Sequence, residues 1–261
     1  MFCDMHVHTG FSVDGKATMA QRCAEAVSIG LEAICFTDHL DFDRADPGFR
    51  FFDFDGYFDQ IKRLQEQYQG RLLILAGCEF GEPCRFPKEL EQAGRLPFDF
   101  ILGSVHLWEA GYMPSECVAR NYPAEAAFER YYQVVLESLR LGGFDGLAHL
   151  DYPRRYYDCS LYEEEVMAEI FRLMLEQGVT PELNTAGYYR AKYGAPNPGP
   201  ELLSLYKQAG GQYLTLGSDS HRPGCLAGGI RQGQGLLDRV GLEQVIYIKR
   251  KMLTAKEFEK A

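Results

Sequence analysis

Short apolar runs alternate with amphipathic segments along most of the chain. Seven runs have the length and continuous hydrophobicity of strands that are buried on both faces. These predicted strands cover residues 2–9, 33–37, 72–79, 98–106, 146–151, 179–184 and 213–218. A later run, 245–248, is a candidate for one further strand.

The segments between these runs have the apolar spacing and the end signals of helices. They cover 18–29 before Gly30, 57–69 before Gly70, a segment from Pro123 to Gly142, one from a Ser160-x-x-Glu163 capping box to Gly178, and one from Pro200 to Gly210. Seven strand-then-helix units without a linker predict an α/β fold that closes into a parallel barrel. An open doubly wound sheet is the alternative. The segment 41–55, rich in Asp and Phe, is predicted to be a loop over one end of the barrel.

Composition adds few constraints to this pattern. The 261 residues, with 46% hydrophobic and 25% charged side chains, suit a single β/α-barrel domain over 1–261. No apolar run approaches the roughly 18 residues of a membrane span, and the first residues lack the features of a signal peptide. We therefore expect a soluble, cytoplasmic protein without a membrane partner. The net charge of −10 argues against nucleic-acid binding but permits a small phosphate ester as substrate.

The eight cysteines contain no C-x-x-C pair, so a thiolate zinc site is not expected. Cys23, Cys35 and Cys78 lie in apolar segments. Buried free thiols in a reducing compartment are the better interpretation than disulfides.

Each of the six histidines falls within or just after a predicted strand. They are His6, His8, His39, His106, His149 and His221. The carboxyl ends of the strands of a barrel converge on one face, so these side chains are expected to meet there. Six separate structural histidines are the alternative, but the shared topological position makes that coincidence improbable.

Carboxylates accompany these histidines. His6 and His8 are two residues apart, so both imidazoles lie on one face of a strand, and Asp219 and His221 repeat that spacing. Glu79 ends an apolar strand, where a carboxylate needs a partner and is able to bridge two cations. Asp14, before a glycine, is either a ligand or a turn residue.

The neighbouring acids have other predicted roles. Asp38 is expected to orient a ligand, with a capping role as the alternative, and Glu82 is expected to be exposed. Six imidazoles and three carboxylates are too many ligands for one ion. They suit two or three divalent ions, and this ligand chemistry is compatible with zinc, iron or manganese.

Five segments together resemble the motif pattern of the PHP (polymerase and histidinol phosphatase) superfamily. They are DMHVHT at 4–9, FTDH at 36–39, GCE at 77–79, GSVH at 103–106 and GSDSH at 217–221. The resemblance implies a distorted seven-stranded, TIM-like barrel, (β/α)7, with a trinuclear metal centre. One ion would take His6, His8, Glu79 and Asp219; a second Glu79, His106 and His149; and a third Asp14, His39 and His221.

The segments 8–15, 79–83, 149–156 and 182–190 are similar to the histidinol-phosphatase branch. That similarity implies hydrolysis of the phosphate monoester L-histidinol phosphate to L-histidinol and phosphate in histidine biosynthesis, by attack of a metal-bridging hydroxide. Two alternatives stay open at this point. One is a PHP phosphoesterase that acts on a nucleotide or a phosphoprotein. The other is a non-catalytic metal-binding module, against which the complete ligand set argues.

Substrate contacts are predicted from residue type and position. Arg154 or Arg155, together with Arg190, are candidates to hold the phosphate, because a guanidinium offers a planar fork of donors. Asp14, Asp219 and His221 are the candidates for proton transfer to the leaving group. Glu109 or Asp43 could meet the amine or imidazole of the substrate.

Overall fold

The computed structural model describes residues 1–109, 111–190 and 194–259. The strands are β1 Cys3–Val7, β2 Ala33–Phe36, β3 His39–Leu40, β4 Leu73–Gly81, β5 Phe100–Ser104, β6 Gly146–Leu147, β7 Thr180–Asn184, β8 Tyr213–Gly217, β9 Glu243–Ile248 and β10 Lys251–Thr254. The α-helices are α1 Met19–Ile29, α2 Phe54–Gln67, α3 Pro87–Ala93, α4 Pro114–Ala119, α5 Ala124–Leu141, α6 Glu164–Gln177, α7 Pro200–Gln208, α8 Ile230–Val240 and α9 Ala255–Phe258. Within the described ranges, no helix is long and apolar enough to span a bilayer.

All seven predicted strands are present and form the wall of a distorted β/α barrel. They pair in parallel in the order β1-β2-β4-β5-β6-β7-β8. The short β3 pairs in parallel with the carboxyl-terminal part of β4. The prediction for 146–151 was too long, because only Gly146 and Leu147 remain in the ladder. The chain then turns through positive φ at His149 (27°) and Asp151 (72°), which takes these residues out of the strand.

The barrel closes only at the carboxyl ends of its strands. There the His8 N–H donates to the Ser220 carbonyl at 3.0 Å, and the Asp219 N–H donates to the His6 carbonyl at 2.8 Å. At the amino ends β9 lies parallel to β8, and β10 pairs with β9 in antiparallel fashion. The run 245–248 therefore does form a strand. This strand lies at the amino-terminal end of the barrel and is not one of the seven strands of its wall.

The barrel interior and the outer helices bury two apolar layers. Inside, Tyr247 of β9 stacks on Phe100 of β5 with 5.1 Å between ring centroids, so the hairpin of β9 and β10 plugs the barrel. Outside, the amphipathic helices pack their apolar faces against the sheet. The ligand-type residues lie at the opposite, carboxyl end of the strands.

The five predicted helices are present, with differences at their starts. Thr18 caps α1 in a capping box with Gln21, and Gly30 ends the helix in a left-handed conformation at φ 75°. Helix α2 begins three residues before the predicted start because the Asp53 side chain accepts the N–H of Gly56. The capping box predicted at Ser160 is wrong: α6 starts at Glu164, after an extended Glu163.

Candidate metal centre

All six histidines lie together at the carboxyl end of the barrel, around the side chain of Glu79. His6 lies in β1 and His8 directly follows it, and His39 lies in β3. His106 and His149 follow β5 and β6, and Asp219 and His221 follow β8. His6, His8 and His149 are at most 1% exposed, as is Glu79. The predicted clustering is therefore confirmed.

One group of ligand atoms surrounds His6 and His8. Their Nε2 atoms face each other at 2.9 Å, and Glu79 Oε2 lies 3.3 and 3.5 Å from them. Asp219 Oδ1 completes the group at 4.0 and 3.6 Å from the same two nitrogens. This is the set that the family resemblance implies for one ion.

The other carboxylate oxygen of Glu79 serves a second group. Glu79 Oε1 lies 3.0 Å from His149 Nε2 and 3.2 Å from His106 Nε2, and these two nitrogens are 3.3 Å apart.

A third group of ligand atoms lies toward solvent around Asp14. Asp14 is 3.1 Å from His221 Nε2 and 3.8 Å from His39 Nε2, and the rings of His8 and His221 stack at 3.9 Å.

The donor set fits divalent metal ions. When each ring carries its proton on Nδ1, two facing Nε2 atoms both present lone pairs, and a shared cation accepts both. Four groups of three ligand-type residues place one ligand atom each within 4.8 Å of one another: His6, His8 and Glu79; Glu79, His106 and His149; His8, His39 and His221; and His39, Asp41 and His106. Mixed imidazole and carboxylate ligands suit zinc, iron or manganese.

The electrostatics prepare these groups as ligands. Burial alone would raise the pKa of Glu79, but His6 and His106 offset it and hold that pKa well below its usual range. Burial lowers the pKa of His149 to about 4 and that of His8 well below its ordinary value. Glu79, His8 and His149 therefore have the ionised carboxylate and neutral imidazole forms that metal binding requires. Against the effect of burial, the neighbouring carboxylates instead raise the pKa of His6, and that of His106 to about 10, so these two imidazoles would release a proton when an ion binds.

Two carboxylates orient the ligands of the first group. Glu182 of β7, which is 1% exposed, lies 2.6 Å from His6 Nδ1 and accepts the N–H of His149. Sequence reasoning assigned Glu182 no role, although a charged residue in an apolar strand is a signal for a buried partner. Asp38 performs its predicted orienting role, because it accepts the hydroxyl of Ser12, which in turn contacts His8 Nδ1.

Glu82 corrects an expectation. It was predicted to be exposed, yet it is 1% exposed and accepts the backbone N–H groups of His106 and Leu107. The reason is local: Glu82 has a left-handed backbone (φ 46°), and its side chain lies against the segment that follows β5. Glu82 thereby positions the backbone of a ligand.

Arg155 and Arg190 line a cavity of about 840 Å³ above the cluster. Arg155 is 2.9 Å from Asp219 and lies over the Tyr152 ring, and Arg190 is 3.2 Å from His221 Nδ1. Burial alone would raise the pKa of Asp219, but Arg155 and His6 hold it well below its usual range.

Three other predicted contacts lie elsewhere. Arg154 pairs with Asp151 at 3.1 Å and does not line this cavity. Glu109 accepts the Tyr122 hydroxyl, and Asp43 pairs with Arg85 at 3.7 Å. The segment 41–55 nevertheless reaches the cavity, through Asp46 and Pro47.

A barrel that presents buried imidazoles, carboxylates and two arginines at its strand ends defines a metal-dependent hydrolase of anionic esters. The family model described as "PHP domain" matches residues 4–186, and the chain belongs to this family. The histidinol-phosphatase of Lactococcus lactis is 34% identical over 84% of this chain and 83% of its own length. A probable histidinol-phosphatase of Thermotoga maritima is 29% identical over 97% and 98% of the two chains.

Solved structures give the same likeness. The crystal structure of the L. lactis histidinol phosphate phosphatase, complexed with zinc, L-histidinol and phosphate, superposes with a TM-score of 0.80. It is 27% identical and covers 97% of this chain and 98% of that one. The predicted family and barrel fold are thereby confirmed.

Proposed function

We propose that this protein hydrolyses L-histidinol phosphate to L-histidinol and phosphate, a reaction of histidine biosynthesis. The observation that carries the proposal is one cavity in which seven of the nine predicted ligands meet Arg155 and Arg190, with His6 and His8 beneath it against Glu79. The full-length similarity to histidinol-phosphatases supports the choice of substrate.

We assign the ligands as the family resemblance implies. His6, His8, Glu79 and Asp219 hold one ion; Glu79, His106 and His149 a second; and Asp14, His39 and His221 a third. Divalent ions held by these residues would supply charge to neutralise the phosphoryl oxygens and would make hydroxide available at neutral pH. Glu182, Asp38 and Glu82 keep the imidazoles in place for this task.

Arg155 and Arg190 bind the phosphate. Each guanidinium lies beside Asp219 and over a tyrosine ring, at 5.0 Å for Arg155 on Tyr152 and 5.3 Å for Arg190 on Tyr189. Stacking fixes the plane of a guanidinium, whose N–H groups are well suited to donate to phosphate oxygens. We assign Arg154 to the structural pair with Asp151 instead.

The leaving alkoxide needs a proton, and the three candidates form one connected unit. His221 Nε2 lies 3.1 Å from Asp14, and His221 Nδ1 lies 3.3 Å from Asp219. Asp14 is the most exposed of these groups, with 53% of its side chain accessible. We infer that Asp14 takes a proton from solvent on the carboxylate oxygen that does not hold the ion, and passes it to the alkoxide oxygen.

Asp46 is our candidate for the cationic end of the substrate. Among the described residues that line the cavity, it is the only carboxylate outside the nine ligands. Its Oδ1 accepts the N–H of Gly48, which holds the carboxylate in place. Charge complementarity between Asp46 and an ammonium or imidazolium group favours one orientation of the substrate.

Substrate competition tests the proposal. The metal-loaded protein should hydrolyse histidinol phosphate with a kcat/KM at least a hundredfold above that for p-nitrophenyl phosphate, because the amine and imidazole supply binding energy. Asp46→Asn should lower kcat/KM for histidinol phosphate alone. Equal wild-type rates on both esters would remove histidinol phosphate as the substrate and favour a broader phosphoesterase.

A further inference from the structure

Arg22 of α1 is a fully buried arginine (0% exposed) outside the ligand set. Its nearest carboxylate, on Glu25, is 3.5 Å away and partly exposed. Burying a guanidinium removes its hydration, so its presence needs a compensating set of acceptors.

Those acceptors are backbone carbonyls on both sides of the seam that closes the barrel. Arg22 Nη2 donates to the Ser220 carbonyl at 2.9 Å, and Arg22 Nε donates to the His8 carbonyl at 3.3 Å. Its Nη1 donates to the Arg222 carbonyl at 2.8 Å. One planar side chain thus contacts the segment that follows β1 and the segment that follows β8.

This seam is narrow and lies directly beneath the ligands. Within the described residues, two backbone hydrogen bonds join the strand ends here, from the His8 amide to Ser220 and from the Asp219 amide to His6. The Lys16 amide donates to the His221 carbonyl beside them, and the Asp4 carboxylate of β1 accepts the Ser218 N–H. The same two segments carry His6, His8, Asp219 and His221, and the rings of His8 and His221 stack across the seam at 3.9 Å. A shift of one segment against the other would separate the ligands of two groups.

We propose that Arg22 is a positioning residue that fixes the spacing of the ligand-bearing segments across the barrel seam and so sets the affinity of the metal centre. The role rests on the proposed metal centre but not on the identity of the substrate. In the part of the chain that the structure describes, Arg22 donates to backbone carbonyls and to Glu25 and not to a ligand side chain, so it acts through the backbone of His8 and of the segment 220–222.

The test compares Arg22→Met with Met19→Ala. Met19 lies one turn earlier on the same helix, is fully buried in the hydrophobic core, and has no N–H group to donate to the seam carbonyls. Zinc is removed with a chelator and returned at buffered free concentrations. Stoichiometry and affinity are measured beside the melting temperature of each metal-free protein and hydrogen exchange at the His8 and Asp219 amides.

We expect Arg22→Met to weaken at least one zinc ion tenfold or more, and to speed exchange at the two seam amides tenfold or more. Met19→Ala should lower the melting temperature without either effect. Arg22→Lys, which keeps the charge and can reach one carbonyl, should restore part of the affinity, and it replaces Arg22→Met if that variant fails to fold.

Two results would overturn the role of Arg22. One is zinc affinity in the arginine variants equal to wild type. The other is a loss of affinity that only follows the loss of stability, as in Met19→Ala. A wild-type protein that binds no zinc would instead refute the metal centre itself, so the two failures are distinguishable.

Discussion

Glu79 is the residue on which two of the three proposed ion sites depend. Its Oε1 lies 3.0 Å from His149 Nε2, and its Oε2 lies 3.3 Å from His6 Nε2. Glu79→Gln preserves the size of the side chain but removes its charge and replaces one ligand oxygen with an NH2 group. We expect two ions to be lost together while the fold survives.

The size of the stability loss follows from the thermodynamic linkage between metal binding and folding. At a free metal concentration of about one hundred times Kd, each site stabilises the fold by about 2.7 kcal/mol. Losing two sites should therefore remove about 5 kcal/mol of metal-dependent stability. For a chain of this size that corresponds to roughly 10–20 °C in Tm. Loss of several kcal/mol of transition-state stabilisation should lower kcat by about 10³-fold or more.

Glu82→Gln is the matched control. It removes a charge that is equally buried and only three residues away, but Glu82 accepts two backbone N–H groups through a single oxygen, which an amide retains. This variant should keep its metal. The assay measures bound metal by mass spectrometry, Tm with and without zinc, and kcat. Full metal content with near-normal turnover in Glu79→Gln would refute the bridging role, and equal losses in both variants would point to the buried charge instead.

The remaining predictions concern the arginines, a buried thiol and a close backbone approach. Arg190→Ala should lower kcat/KM for histidinol phosphate ten- to a hundredfold at unchanged metal content, since a charge-assisted hydrogen bond is worth about 1.5–3 kcal/mol. Arg154→Ala should lower kcat/KM much less. A larger decrease in Arg154→Ala than in Arg190→Ala would contradict our assignment. Burial raises the pKa of Cys23 from 9.0 to about 12, so the stability that the protonated thiol contributes is present below pH 9 and is lost as the pH rises toward 12. Urea unfolding measures the free energy of unfolding at pH 8 and at pH 10.5. Its decrease between these pH values should be about 2 kcal/mol smaller in Cys23→Ala than in wild type. Equal decreases would show that this thiol does not contribute to the pH dependence of stability. A Cβ on Gly217 would overlap the Glu182 carboxylate and His6, so Gly217→Ala should cost about 1–3 kcal/mol and weaken zinc binding; wild-type zinc affinity would show that the strand yields without moving the ligand.

The sequence by itself determined the wall of the barrel and predicted which residues cluster at its carboxyl end as candidate ligands. Buried parallel strands read as continuous apolar runs, and helix ends carry their own signals, as Gly30 does for α1. The histidines were recognisable because a barrel brings the carboxyl ends of its strands to one face, so position along the chain predicts proximity in space. Local rules that lacked tertiary support, such as the capping box at Ser160, failed.

Only the tertiary structure decided which polar groups support the centre. The burial of Glu82 depends on a left-handed backbone, and the separation of Arg155 from Arg154 depends on the turn that places Arg154 against Asp151. Arg22 could not be identified from the sequence, because its acceptors are carbonyls of residues 8, 220 and 222, which are distant from it along the chain. Backbone carbonyls carry no residue identity, so an interaction with them leaves no pattern in the sequence and appears only when the barrel closes.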